Sequence, residues 1–297
     1  MESKKLPKDK SKMKQSETSN DKLKKIKSNY FLEKLYDNIL KKKTLEIVKY
    51  NKNIQNRLSI NIKDYKEYSE AFTPIEIEII PSRDIYGRFI NIINENDELY
   101  YHIYFNDNIN EIKNKYEIKE EDKVNKIKII IDYQIISFEK LFYWCNCIES
   151  IDFKKFYRNN INNMSLMFSS CLILKEINLT NFNTNNVTNM KGMFKRCLSL
   201  KEINLSNFNI KNVTDMSFIF FGCKSLKNIN VSNFNTNNAK YMNSMFCGCS
   251  SLKEINLSNF NTNNVTDMRD MFYGCPDDLK RKIKSENKNI KDEAFYD

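Results

Sequence analysis

The chain has 297 residues, 41% of them hydrophobic and 29% charged, with 48 Lys and Arg against 38 Asp and Glu for a formal charge of +10. That length allows two domains with a sizeable core, and no apolar run approaches the roughly 18 residues that a membrane-spanning helix needs. One histidine and five glycines provide neither an imidazole beside the cysteines for nucleophilic catalysis nor a glycine-rich loop to cradle phosphate, so no enzyme, cofactor or metal site is expected.

Residues 1–27 carry almost no apolar side chains and read as a disordered, Lys-rich arm. Residues 1–50 hold 15 Lys against 7 acidic residues. Such arms attract nucleic acid or anionic lipid, but no aromatic interleaves the lysines before Tyr30, and nucleic acid is not the expected partner. The opening ten residues lack the apolar core of a signal peptide, which gives a cytoplasmic expectation.

Residues 28–73 form a helical segment. Ser28 caps an amphipathic helix through Leu32, Leu35, Ile39 and Leu40, Thr44 opens a second through Leu45, Val48, Ile54 and Leu58, and a third short one precedes Pro74. From Ile75 the apolar period becomes two. Ile75–Ile79, Phe89–Ile93 and Leu99–Phe105 predict a small antiparallel β-unit over residues 74–124. His102 sits on the last of these strands in a half-buried, structural role.

Residues 125–275 repeat at a spacing of 26. Cys145, Cys171, Cys197, Cys223, Cys249 and Cys275 mark one column, Phe156, Phe182, Phe208, Phe234 and Phe260 a second, and Met164, Met190, Met216, Met242 and Met268 a third. Fixed self-similarity at this length signals a solenoid. In one unit, Leu200, Ile203 and Leu205 alternate with polar residues as a half-buried strand requires. The apolar residues of Val213–Cys223 share one helical face, with Asn212 as N-cap, Asp215 completing a capping box, and Gly222 ending the helix in a left-handed turn. A parallel sheet of such strands follows. Lys126–Ile131 with Ile135–Cys145 reads as a degenerate opening unit, whose Trp144 covers the end of the core. Residues 276–297 supply a charged cap helix from Asp277 and, past Lys284, a tail. The cysteines read as reduced core residues, and Cys145-x-Cys147 and Cys247-x-Cys249 are not a zinc spacing.

The pattern Leu-x-x-Ile-x-Leu-x-x-Phe resembles a leucine-rich repeat. Asn-Val-Thr-Asp-Met-x-x-Met-Phe-x-Gly-Cys, as at Asn264–Cys275, is similar to the 26-residue BspA-type variety of bacterial and protist surface proteins. The resemblance implies an α/β fold: a right-handed parallel β/α leucine-rich-repeat-like solenoid. Leucine-rich repeats ordinarily carry an asparagine where Phe208 stands, with Asn207 and Asn209 here beside it. Residues 32–58 resemble an F-box through Leu32, Leu35, Ile39, Leu40, Leu45, Val48, Asn51, Lys52 and Leu58, without that family's leading Leu-Pro.

The side chains between the strand's apolar residues face outward in columns, and in leucine-rich repeats that face is concave and binds partners. Carried over, the candidate binding residues are Glu176, Glu202 and Glu254, then Asn178, Asn204, Asn230 and Asn256, then Ser206 and Ser232. The expected function is a non-catalytic protein-interaction scaffold with an unidentified protein partner. The alternatives are an F-box-like adaptor that recruits a Skp-type subunit of a ubiquitin ligase, or a BspA-type cell-surface adhesin. Asn-x-Ser/Thr sequons at Asn178, Asn204, Asn230 and Asn256 fall on the strands, where glycans would crowd the ladder, which disfavours a glycosylating secretory route.

Overall fold

The computed structural model describes residues 51–60, 63 and 72–296, and the chain divides into two compact units at Ser69/Glu70. Of the first unit, α1 (Lys52–Arg57) is capped by Asn51, whose side chain accepts the Ile54 amide at 3.2 Å, and Ile54 is buried. The Lys-rich arm, the helices expected from Ser28 and over 64–70, and the F-box-like positions from Leu32 to Val48 lie outside the described residues. Leu58, the last apolar position of that pattern, is the C-cap residue of α1.

The second unit is an α/β assembly of mixed sheets with few helices. Its first part contains β1 (Ile75–Pro81), β2 (Gly87–Arg88), β3 (Tyr101–Phe105), β4 (Glu117–Ile118), β5 (Ile127–Ile131), β6 (Ile148–Lys155) and β7 (Glu176–Asn178). The sheet order is β3-β5-β1-β6-β7, while β2 pairs only with β4. Alternation explains β1 and β5: Ile75, Ile77, Ile79, Ile127, Ile129 and Ile131 are all fully buried, and Glu76 between them bridges Lys128 at 3.1 Å and Lys155 at 2.9 Å.

Two expected strands change here. The Phe89–Ile93 strand does not form, because its amides are drawn to separate acceptors, Phe89 to the Tyr116 carbonyl and Asn91 to the Leu141 carbonyl. Lys126–Ile131, expected to open the parallel array, instead lies antiparallel to β1 and β3. The first parallel pair is β6–β7, with Ile151 opposite Ile177, and β1 covers the other edge of β6. A sheet that began with β6 would expose a row of unpaired backbone groups. The antiparallel strands remove that edge, so the array is not all-parallel and one sheet runs across the boundary at residues 124 and 125. Trp144, assigned to that covering role, is instead 52% exposed.

Beyond β7 come β8 (Glu202–Ile203), β9 (Asn228–Ile229) and β10 (Glu254–Ile255), joined as a three-stranded parallel sheet. Ile203, Ile229 and Ile255 stand opposite one another, a register of 26 residues. A second line of parallel bridges links Ser137, Asn163, Asn189, Asp215, Tyr241 and Asp267.

The helix expected in each unit is absent among the described residues. Over 190–197 the amides of Met193, Lys195 and Cys197 close four-residue turns, while those of Gly192, Phe194 and Arg196 donate to carbonyls of the next unit at Ser217, Ile219 and Phe221. Half of the donors a helix would use internally thus hold the neighbour instead. The turns need two left-handed residues per unit, such as Gly192 (φ 59°) and Arg196 (φ 59°), then Phe218 (φ 61°) and Gly222 (φ 70°). Gly222 does sit in that conformation, but it ends no helix. Asn212 is no N-cap either: its Nδ2 donates to the Asn185 carbonyl at 2.8 Å, and the Asp215 carboxylate accepts the Ser217 amide at 2.9 Å.

Side chains carry the same register. Phe142, Phe168, Phe194, Phe220, Phe246, Phe272 and Phe295 stack in sequence with centroids 5.3–5.7 Å apart. Each column thiol from Cys171 to Cys275 donates to a phenylalanine carbonyl of the preceding unit, as Cys223 does to Phe194 at 3.0 Å. The asparagine before the column phenylalanine reaches back too, Asn207 Nδ2 lying 2.9–3.1 Å from the carbonyls of Leu179, Thr180 and Phe182. An asparagine ladder therefore exists, one residue before the phenylalanine.

The chain closes with α2 (Asp277–Glu286), which buries Leu279 and Ile283. Residues past Lys284 are not a tail: Ile290 and Ala294 are buried, Phe272 donates its amide to the Ala294 carbonyl, and Phe295 stacks on Phe272. They end the ladder by supplying acceptors that a further unit would have supplied. No described helix is long and apolar enough to cross a membrane.

All eight cysteines are free and buried, and burial raises their thiol pKa values, Cys223 to about 12 and Cys147 to about 11. Raised values keep the thiols protonated at pH 8, where the thiolate is the reactive species. Native protein will accordingly give almost no colour with a disulfide reagent at pH 8 and eight equivalents once unfolded. Cys247, the most exposed of them at 7%, will react first.

Candidate interaction groove

The parallel strands β8, β9 and β10 are too short to expose more than one inward isoleucine each, and the chain leaves each strand through an asparagine. The Oδ1 atoms of Asn204, Asn230 and Asn256 accept the amides of Ser206, Ser232 and Ser258 at 3.0–3.1 Å. An Asx turn of this kind lets a short polar side chain stand in for a ladder partner as the strand ends. With Oδ1 committed inward, the row presents its amide donors to solvent.

Asn204, Asn230, Asn256 and Ser258 line one open groove of about 920 Å³. Its floor is Ile177, Ile203, Ile229 and Ile255, and its walls include Glu202, Asn204, Asn228, Asn230, Glu254 and Asn256. Neighbouring strands repeat at about 4.8 Å, so the groove offers carboxamides at regular steps beside Glu202 and Glu254. Both glutamates are exposed, as are the asparagines.

Five of the nine residues singled out from sequence meet here: Glu202, Asn204, Asn230, Glu254 and Asn256. Ser206 and Ser232 stand at its border as the amide partners in the Asx turns, and the Ser232 hydroxyl donates to Asn230 Oδ1 at 2.7 Å. Glu176 and Asn178 belong to β7 in the other sheet, where the Asn178 amide donates to Asp152 at 2.9 Å. Sequence reasoning missed Lys282, Glu286 and Asn287, which α2 brings to the groove. The signal was present in the sequence: Leu279 and Ile283 define the buried stripe of α2, and Lys282 and Glu286 recur four residues apart off that stripe. What the helix faces could not be read from it.

Elsewhere, chemistry is sparse. His102 lies between Glu111 at 2.9 Å and Asp132 at 3.4 Å. Arg158 is fully buried, donates from Nη1 to the Asp132 carbonyl, and has its pKa lowered to about 10 by desolvation. No group of three His, Cys, Asp or Glu among the described residues could hold a metal ion.

A family described as "Mycoplasma protein of unknown function, DUF285" matches residues 136–228 and, in an overlapping second match, 199–294. Together these cover more than half of the chain and include the strands and turns of the groove. No curated protein and no solved structure matches the chain.

Proposed function

This chain belongs to the DUF285 family of unknown function, and from that premise we propose that it is a non-catalytic protein-interaction module. In this reading the 26-residue units form a solenoid of the leucine-rich-repeat kind, similar to BspA-type proteins, and the groove over β8–β10 receives a segment of a partner protein. The observation that carries the reading is the groove itself: an open surface with an apolar floor and a periodic polar wall, of the sort that receives extended chains. Its charged lining is Glu202, Glu254 and Glu286 against Lys282, so the partner segment presents cationic side chains to the carboxylates. Its backbone carbonyls can accept from the outward amides of Asn204, Asn230 and Asn256.

A photo-activatable residue placed at Asn204, with exposed Lys224 as the control position, tests this in the full chain among the proteins of its source cell. Asn204 should give a discrete protein adduct that Lys224 does not. Combining Glu202→Lys with Asn230→Arg should abolish that adduct with the melting temperature unchanged, as surface substitutions lie within about ±0.5 kcal/mol. Equal labelling from both positions, or an adduct that survives the double substitution, refutes the assignment.

A further inference from the structure

Away from the groove, two adjoining units place a phenylalanine and an arginine at left-handed positions of the turns. At the first left-handed position of the turns the series runs Lys140, Leu166, Gly192, Phe218, Ser244, Asp270, and at the second it runs Trp144, Ser170, Arg196, Gly222, Gly248, Gly274, all with φ between 53° and 71°. A phenylalanine in this region is a steric outlier, and such outliers persist where a side chain is wanted for another purpose. Like Lys140, Trp144 and Leu166 in earlier units, Phe218 and Arg196 carry long side chains where the backbone alone would favour glycine.

The departures converge. Phe218 and Phe221 lie edge to face with centroids 5.8 Å apart, both only half-buried. Lys195 holds its ammonium 5.2 Å from one ring and 5.1 Å from the other, and Lys191 lies 6.0 Å from Phe218. Arg196 is exposed, with its side chain against Gly222. Among the described residues the ammonium groups of Lys191 and Lys195 are placed by rings and not by carboxylates. None of these five side chains lines the groove.

We propose that Phe218, Phe221, Lys191, Lys195 and Arg196 form a docking surface for a short acidic protein segment that carries an aromatic side chain. Lys191, Lys195 and Arg196, none of which pairs with a carboxylate among the described residues, attract negative charge, and half-buried rings add stacking area that costs little ordering on binding. Width favours a peptide over a nucleic acid. The next unit offers Ser244 and Cys247 at the positions of Phe218 and Phe221, and the one after it carries Asp270 where Phe218 stands. Lys191, Lys195 and Arg196 all sit on one unit, a width of about 5 Å at the strand spacing, whereas a polynucleotide backbone needs a longer track of positive charge.

The test uses the full chain and fluorescein-labelled heptapeptides read by anisotropy: one of Glu with Tyr at positions three and five, one of Glu alone, and a seven-residue oligo(dT). The Lys-rich arm attracts all three, so the readouts are ratios between probes and between variants. The tyrosine peptide should bind about tenfold tighter than the all-Glu peptide, the scale of two ring contacts. Phe218→Gly should erase that preference without lowering the melting temperature, because glycine accepts the left-handed backbone without strain. Lys195→Glu, which leaves both rings in place, should weaken the tyrosine peptide about tenfold, as loss of a partnered charge does. The proposal is overturned if tyrosine confers no preference, if Phe218→Gly keeps that preference or lowers the melting temperature by several degrees, or if oligo(dT) is the tightest probe and loses affinity with Lys195→Glu.

Discussion

Phe220→Ala will destabilise the protein by about 3–5 kcal/mol, the range for truncating a buried phenylalanine. Phe220 is fully buried and stacks on Phe194 at 5.6 Å and on Phe246 at 5.5 Å, both pairs within 10° of parallel. Its removal takes away two stacked contacts at about 0.5–1.5 kcal/mol each beyond the burial term, and the rings above and below cannot close a gap whose spacing is set by their own backbones. Phe208, by contrast, is stacked on Phe182 at 5.5 Å with no second stacked partner among the described residues. Phe208→Ala should therefore fall toward the lower end of the same range. Thermal melting orders the two: about 10–15 °C is expected for Phe220→Ala in a unit of this size. A double-mutant cycle of Phe220 with Phe246 should return a coupling of roughly 0.5–1.5 kcal/mol. A loss no larger than that of Phe208→Ala would mean that the stack contributes only area.

Asn207→Ala should cost about 1–3 kcal/mol, and Asn204→Ala under about 1 kcal/mol, although both asparagines are exposed and three residues apart. Asn207 spreads two amide hydrogens over three carbonyls of the preceding unit, at 2.9, 3.1 and 2.9 Å. A bifurcated arrangement like this ties strand end to strand end across units, and alanine would leave acceptors that water reaches only in part. Asn204 accepts one local amide, that of Ser206, at 3.0 Å, and water can replace it. Denaturant melts of the two variants decide between these roles. Equal losses would mean that the backward-reaching asparagine does no more than the local one.

Much of this architecture is legible in the amino-acid sequence alone. A spacing of 26 in Cys, Phe, Met, Ile and Asn dictates which residues can meet, since equivalent positions in stacked units must fall opposite each other. Ile203 facing Ile229 follows from that arithmetic. The alternation of Ile75, Ile77 and Ile79 likewise announces a half-buried strand. Outward columns were readable as well, which is why Glu202, Asn204, Asn230, Glu254 and Asn256 were named together and share one groove.

Three things were decided only in three dimensions. Apolar spacing over Val213–Cys223 fits a helical face, yet the amides of Met216, Phe218 and Phe220 are taken by carbonyls of the next unit. Periodicity records which side chains are buried and says nothing of where a backbone donor points, so a stack of turns and a helix leave the same trace. The pairing of β1 with β6 was equally hidden, because residues 81 to 148 must fold back before that edge meets its cover. Lys282 and Glu286 reach the groove only because α2 packs Leu279 and Ile283 against the end of the array. The period alone settles which residues of the 26-residue units face one another; non-local backbone pairing settles what those units are made of and what closes their two ends.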